Sequence, residues 1–507
     1  MKRFIAFLII IAAGLFIQSS YINEFPTHIH AWAEQDHYAL TLGFIDNGFD
    51  FFHPQTFIYN KQFPGWWKEA YDTTITPAGF PVHEFNAALL MKLFGTTAPW
   101  VFRSWTMLWG LLGLFFLFKI SFRITEDWFK SLLVSCFAMT SPIVAYYLNG
   151  FLPGIPAVSL NIIGLWCYLC YLDDNKIKNF HLGIAFLTLA MLIRTTFAIG
   201  LIAVLCFELL RVFRKESKIV DKLPSVITAA VVFLACQLWN SHLTQVHGTV
   251  FLNKLLPAEN LEEAKELLTF AWDYWKYGYF QLIQYLLIIA LILGALLSLF
   301  FKEKREKSTA KRPLSLWWLP MIQLFGCLLF TIAMMKQIKR HDYYFIDTFF
   351  LPLILVVTLL LGALPKPKYK IVFGTQLFVV VALCILMVRN VTQTQIERRD
   401  PNDGAVYTYN NYKDSDILLD SLGIARNAKV LCLYAYPQNG PFILMQRKGF
   451  IVMNDNDDLV NAAFTWDFDC MVIENHKYSE YFEKRADLFS QLKLLGGNDK
   501  ISVFLRP

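Results

Sequence analysis

Between residues 4 and 389 the sequence carries a long series of apolar runs, interrupted chiefly at 23–98 and 243–277, and this constrains the fold more than anything else in it. Each run is close to the 20 or so residues that a helix needs to cross the hydrocarbon core of a bilayer. Eleven spans are predicted, at 4–22, 99–119, 130–148, 153–172, 180–194, 195–213, 223–242, 278–301, 316–335, 343–363 and 369–389. In lipid every backbone polar group must be satisfied within the segment, so such runs fold as helices. Only 17% of residues are charged, against about a quarter in soluble domains. That hydrophobicity excludes disorder, a collagen-like fibre and a small disulfide scaffold. The net charge of +6 is spread in short clusters between the runs, so it marks orientation and not a nucleic-acid partner. Lys2 and Arg3 precede the first run and no small-residue cleavage site follows it, which predicts an uncleaved anchor.

With the N-terminus inside, the cytoplasmic loops carry KEKREKSTAKR at 302–312, RKESK at 214–218 and the lysines of 366–370. The opposite loop 23–98 holds 8 acidic and 3 basic residues. This bias predicts an odd number of spans and an exterior C-terminus. The exterior cations Lys336, Lys339 and Arg340 break the pattern, so they are candidates for another task. The predicted domains are a transmembrane core at 1–390, with the site in the exterior loop 23–98, and an exterior α/β domain at 391–507. From residue 390 onward the chain has 13 basic and 16 acidic residues, an ordinary soluble composition. Its strand-like runs are 429–434, 449–452, 469–473 and 501–505, with helices at 414–422, 457–464 and 478–492, an alternation that predicts a partly parallel sheet. Seven of the nine cysteines lie in apolar runs. Cys167 and Cys170 have no second pair to make a zinc site, and Cys432 and Cys470 read as buried thiols on neighbouring strands.

The loop HIHAWAEQDHYALTLGFIDNGFDFFHPQ, residues 28–55, carries the chemistry-bearing residue types. Glu34, Asp36, Asp46, Asp50 and Glu84 are candidate acids or bases, with His30, His37, His53 and His83 as partners. Asp46 and Asp50 flank Asn47-Gly48 and read as turn residues. Tyr38, Ala39 and Leu42 are spaced as on an amphipathic helix lying along the membrane surface, and 83–94 forms a second. Asp36, between Trp32 and Tyr38, is costly at such a place without a task.

His30-x-Trp32-x-x-x-Asp36, Phe51-Phe52-His53-Pro54-Gln55, Gly79-x-Pro81 and Leu93-Phe94-Gly95, with Lys339-Arg340-His341-Asp342-Tyr343-Tyr344 further on, resemble membrane glycosyltransferases of the GT-C class. The similarity is closest to the branch of aminoarabinose and protein O-mannosyl transferases. The resemblance implies an all-α polytopic bundle of about eleven helices with a C-terminal soluble α/β domain. It implies transfer of a sugar from a polyprenyl-phosphate carrier, with inversion, to a hydroxyl or amine on a cell-envelope glycan, lipid or protein acceptor. The place is the exterior face of a bacterial inner membrane. Asp36 matches the catalytic base and Glu84 the second acid. Some relatives hold a divalent metal near this acid and others do not, so the metal stays open. His30, Trp32, Tyr38, His53, His83, Arg194, Lys339, Arg340, His341 and Tyr343 are the candidate substrate-binding residues.

The chemistry fits these types. A sugar phosphate already has a fair leaving group, so charge stabilisation on the departing phosphate matters most, and the planar fork of Arg suits it. An attacking hydroxyl needs a carboxylate base within hydrogen-bond reach. The rival reading is a transporter or flippase of lipid-linked substrates, which would place charges at mid-membrane.

Overall fold

The computed structural model describes residues 2–252, 254–300, 315–364 and 370–506. The basic stretches 302–312 and 366–369, on which part of the orientation argument rests, lie outside the described residues.

Seven described helices are long and apolar enough to cross a bilayer: Phe4–Tyr21, Pro99–Thr125, Gly154–Asp174, Thr195–Phe213, Val220–His247, Ile346–Ala363 and Leu377–Glu397. The pair Leu261–Tyr279 and Leu282–Leu297, bent by 93°, adds an eighth if it is one span. Three shorter apolar helices, Trp128–Met139, Ile177–Ile193 and Trp318–Ala333, fall where spans are predicted. The chain is a multi-pass membrane protein.

The predicted span 130–148 is broken. Its first helix, capped by Asp127, stops at Met139, and Pro142 opens a new six-residue helix to Tyr147. Proline removes a backbone donor, so carbonyls at the break lose their helical partners. Polar side chains take over. Gln281 Nε2 donates to Thr140 O at 2.7 Å and Gln284 Nε2 to Phe137 O at 2.7 Å. Ser141 Oγ donates to Tyr279 O at 2.6 Å. Gln284 lies in the first turn of the helix after the 93° bend, and Gln281 immediately precedes that helix. Break and bend therefore satisfy each other, as membrane-embedded backbone requires.

The described chain forms two compact units. One comprises Met1–Ile22, Arg103–Ala235 and Lys254–Glu397, and the other Asn23–Phe102, Cys236–Asn253 and Arg398–Pro507. The first is the helical span unit. Gly164 and Gly183 let two of its helices approach closely, since a Cβ on Gly164 would sit 2.9 Å from Gly183 O.

The second unit joins the loop 23–98 to the C-terminal domain, although nearly 300 residues of sequence separate them. Its sheet has strands β1 Val430–Leu433, β2 Gly449–Val452, β3 Cys470–Glu474, β4 Lys493–Gly497 and β5 Ile501–Leu505, in the order β2-β1-β3-β5-β4. β1 runs parallel to both β2 and β3, and β5 is antiparallel to β3 and β4. β1, β2 and β3 are buried throughout, as continuous apolar strands of a covered parallel sheet should be. Cys432 and Cys470 lie buried and free on the neighbours β1 and β3. The helix predicted at 478–492 begins and ends three residues earlier and is in two pieces, Asn475–Lys484 and Ala486–Phe489. The missed strand β4 follows it, an edge strand with exposed lysine, leucine and glycine that lacks an apolar alternation.

The loop 23–98 docks on the free edge of β2. Ile58 bridges Gly449 in parallel. Gly449 N donates to Phe57 O at 2.9 Å and Tyr59 N to Gly449 O at 2.8 Å. Asn60 continues the pairing, its Oδ1 accepting from Ile451 N at 2.9 Å. A Cβ on Gly449 would come within 1.9 Å of Val430 O. Gly449→Ala should therefore push β2 off β1 and cost about 1–3 kcal/mol, as overpacking does. Its measure is the thermal unfolding midpoint of the full-length protein, and an unchanged midpoint would show that this edge tolerates the methyl.

Candidate active site

The helix Ala31–Asp46 begins at His30, whose φ of 60° turns the chain into it. It was predicted to be amphipathic and to lie along the membrane surface. The structure corrects this, since every residue from Glu34 to Phe44 is buried. A stripe of exposure is missing because other segments of its own unit wrap it. The helix Val82–Phe94 covers one side, and the loop after β1 contributes residues to another.

Asp36 is 3% exposed, and its carboxylate meets the C-terminal domain. Gln438 Nε2 donates to both oxygens at 2.9 Å, and Asn439 Nδ2 donates to Oδ1 at 2.7 Å. The Trp32 side chain, one turn before Asp36, is a further donor. Gln438 and Asn439 lie in the connection from the carboxyl end of β1 to the helix Gly440–Met445. β1 lies between β2 and β3, so this end of the sheet is where strand order reverses and where open α/β sheets place their ligands.

Each amide is oriented by a donor on its other side. Trp67 Nε1 donates to Gln438 Oε1 at 2.9 Å, and Phe57 N donates to Asn439 Oδ1 at 3.1 Å. With both carbonyls engaged, both NH2 groups face Asp36. Burial pushes the Asp36 carboxyl up to about 7, against the pull of Asn439, Gln438, Trp32 and the charge of Lys61. Lys61 is itself fully buried and donates to Ile58 O at 2.6 Å. Burial and the nearby charge of Lys448 bring it down to about 7, opposed by Asp36.

The structure gives Glu84 a different partner. Its Oε1 lies 2.7 Å from His37 Nδ1, the residue after Asp36, and ties the two helices of the loop together. Burial works to raise Glu84, but His37 and then His83 hold it below the ordinary glutamate range. Burial takes His83 down to about 4, so that ring stays neutral. Trp32 packs on Trp67 and Tyr436 at 5.5 and 5.6 Å, and Tyr38 donates to Thr97 O at 2.5 Å. Asp50 caps Phe52 N at 3.0 Å and bonds His53 at 2.7 Å in the turn predicted for it. His53 is thereby part of that exposed turn. Asp46 lies 3.7 Å from Lys448.

The remaining candidates belong to the span unit. Arg194 donates through Nε to Asp347, with Tyr343 and Tyr344 rings 5.0 and 5.4 Å from its guanidinium. Lys336 pairs with Glu259 at 2.6 Å and Glu263 at 3.2 Å, and Lys339 with Glu266 at 3.0 Å. These carboxylates sit on or just before the helix Leu261–Tyr279, which was not predicted, and they give Lys336 and Lys339 their partners. Arg340 is exposed. His341 Nδ1 meets Gln337 O at 3.0 Å, and Asp342 is buried against the Tyr147 hydroxyl at 2.9 Å.

Among the described residues no three His, Cys, Asp or Glu side chains gather as a metal site. Asp36 is surrounded by N–H donors, which do not ligate cations, and Glu84 is taken by His37. This donor set does not fit a divalent metal at Asp36.

Sequence reasoning missed Gln438, Asn439, Lys61 and Asp347. Pro437-Gln438-Asn439-Gly440 reads as a turn, and only the rule for carboxyl ends of parallel strands could have singled it out.

Residues 76–239 match the family of dolichyl-phosphate-mannose-protein mannosyltransferases. No curated protein sequence matches the chain. Among solved structures, ArnT from Cupriavidus metallidurans bound to undecaprenyl phosphate is similar, with a TM-score of 0.56 and 11% identity over 99% of this chain and 98% of that one. The apo oligosaccharyltransferase of Archaeoglobus fulgidus is similar with a TM-score of 0.54 and 10% identity, over 95% of this chain and 70% of that one. The chain has the GT-C fold of these membrane transferases.

Proposed function

We propose that this chain, a membrane glycosyltransferase of the GT-C class using lipid-linked donors, transfers a sugar from a polyprenyl-phosphate carrier to an acceptor hydroxyl or amine, with inversion and with Asp36 as base. The observation that carries the reading is the buried Asp36 carboxylate, held by oriented amide donors and balanced near neutrality. A base serves best when its pKa lies near the working pH. The resemblance of the loop motifs and the match at residues 76–239 support the same reaction class. So does the likeness to a structure bound to undecaprenyl phosphate.

The acceptor O–H or N–H gives its proton to Asp36 as its heteroatom attacks the anomeric carbon. The carbon–oxygen bond to the carrier breaks, and its electron pair leaves on the polyprenyl phosphate. Both amides converge on Oδ1, while Oδ2 shares only the Gln438 amide of the two, so Oδ2 is the proton acceptor. One displacement inverts the centre, whereas retention would need a second carboxylate as nucleophile. Glu84 is given to His37 and takes the part of a brace between the two loop helices. In the span unit, Arg194 has the planar fork that suits a phosphate, and Asp347, Tyr343 and Tyr344 fix its place. The working face is the exterior of a bacterial inner membrane, with the loop and the C-terminal domain in the periplasm. The acidic bias of the loop 23–98 supports this.

The test uses the full-length protein in native membranes with a radiolabelled β-linked polyprenyl-phosphate sugar and an envelope extract as acceptor. The expected product carries an α linkage. A β-linked product would overturn inversion, and label that crosses the membrane without being transferred would favour the flippase.

A further inference from the structure

The C-terminal domain does more than cover the exterior loop. We propose that Gln438 and Asn439 of this domain are positioning residues of the catalytic site, which aim and hold the Asp36 carboxylate as a proton acceptor. This rests on the reading of Asp36 as the base and adds that the base is set by a part of the chain 402 residues away.

Three observations carry it. The contacts are direct, buried and doubled, with Gln438 bridging both carboxylate oxygens and Asn439 on one of them. The amides cannot turn over without loss, because Trp67 and Phe57 N hold their carbonyls. Turning either amide would aim a carbonyl at the carboxylate and leave a buried donor unmet, a costly exchange. Lastly, Gly440 packs this connection onto the Asp36 helix, where a Cβ would lie 2.1 Å from Gln35 Oε1. A methyl there would meet the end of the buried Gln35 side chain, which would have to move aside.

Donors to an ionised carboxylate favour the ionised form. Removing one shifts the acid limb of the pH profile upward. The groups facing Asp36 that also carry or gain charge are Lys61 and Tyr436, and on the packed helices His37, His83 and Glu84. Burial, with the charges of Asp403 and Asp36, pushes Tyr436 up to about 12, so it stays neutral in the working range. Gln438 bonds Asp36 and Trp67 among these side chains, so its removal reports on Asp36.

The experiment measures kcat/KM for transfer against pH in the full-length protein in nanodiscs. Gln438→Met, close in size and without N–H donors, should move the acid limb up by about one pH unit. Activity should then fall about tenfold at pH 6 and approach the parent by pH 9, with KM for the donor unchanged. Trp67→Phe keeps a ring and removes the N–H that orients Gln438, so it should move the limb the same way by less. This variant decides the matter if Gln438→Met does not fold. In the double variant Trp67→Phe adds nothing further, because both changes act through one amide. An unmoved acid limb in folded variants, with Asp36→Asn inactive, overturns the positioning role and leaves the base in place. A fully active Asp36→Asn overturns the base instead.

Discussion

Asp36→Asn is expected to lose transfer by about 10²–10⁴-fold, the range in which a general base contributes, and to gain stability in the same step. Asparagine has the shape of aspartate and one carbonyl oxygen, so Asn439 keeps its acceptor. The substitution removes the buried charge and, as protonation of the acid also does, leaves a hydrogen-bearing group at the second position, where Oδ2 accepted from Gln438. The folded Asp36 carboxyl sits at about 7, above its ordinary value of 3.8. Between those values the folded protein binds a proton that the unfolded chain has released. Stability therefore falls as pH rises from about 4 to 7, and above 7 the full cost of the buried carboxylate is present. Lys61 does not offset it there, because burial brings its own folded pKa to about 7 and it becomes neutral in the same region. The variant should thus unfold at a higher temperature than the parent at pH 8. That gap should narrow on acidification toward pH 4. Thermal unfolding of the purified full-length protein across this range is the measurement. A gap that stayed constant with pH would mean that the charge at residue 36 is not what sets it. An active variant would remove Asp36 from the chemistry.

This coupling of function to instability explains which parts of the molecule could be read from its sequence. Spans were legible because length and apolar content suffice to define them. The fold class followed, and Gly154–Asp174 or Pro99–Thr125 needed no tertiary information. The break at Thr140–Pro142 was not legible, because its carbonyls are satisfied by Gln281 and Gln284 from a helix that closes on them only in three dimensions. The importance of residue 36 could be read from a carboxylate set among aromatics. Its environment could not. The neighbours that hold it come from positions 438 and 439, and no local pattern connects a turn-like Pro-Gln-Asn-Gly to a helix four hundred residues earlier. The same limit applies to Lys336 and Lys339. Their placement against the orientation rule was visible, but their partners Glu259, Glu263 and Glu266 lie some seventy residues away. What sequence periodicity reports is which face is apolar. Which polar group answers another across the unit is decided by packing.

The Arg194–Asp347 pair separates structure from chemistry in the span unit. Asp347 is 4% exposed and Arg194 is largely covered, its guanidinium against Tyr343 and Tyr344. Removing the acid alone, as in Asp347→Ala, leaves a cation buried among aromatic rings without its counter-charge. Losing one partner of such a pair costs about 3–5 kcal/mol, far more than the pair itself contributes. Asp347→Ala should therefore be poorly folded or recovered in low yield. Arg194→Leu combined with Asp347→Leu removes both charges and fills similar volume, a change that is often neutral or stabilising by about 1–4 kcal/mol. The double variant should thus regain the parent's unfolding temperature. If Arg194 also stabilises the departing phosphate, recovery of the fold will not bring back transfer, because leucine offers no fork of donors. A stable and inactive double variant assigns Arg194 to the donor. A stable and active one makes the pair a packing device and returns the phosphate to other cations. Unfolding temperature and transfer rate must be read on the same preparation, since either alone confuses a lost protein with a lost function.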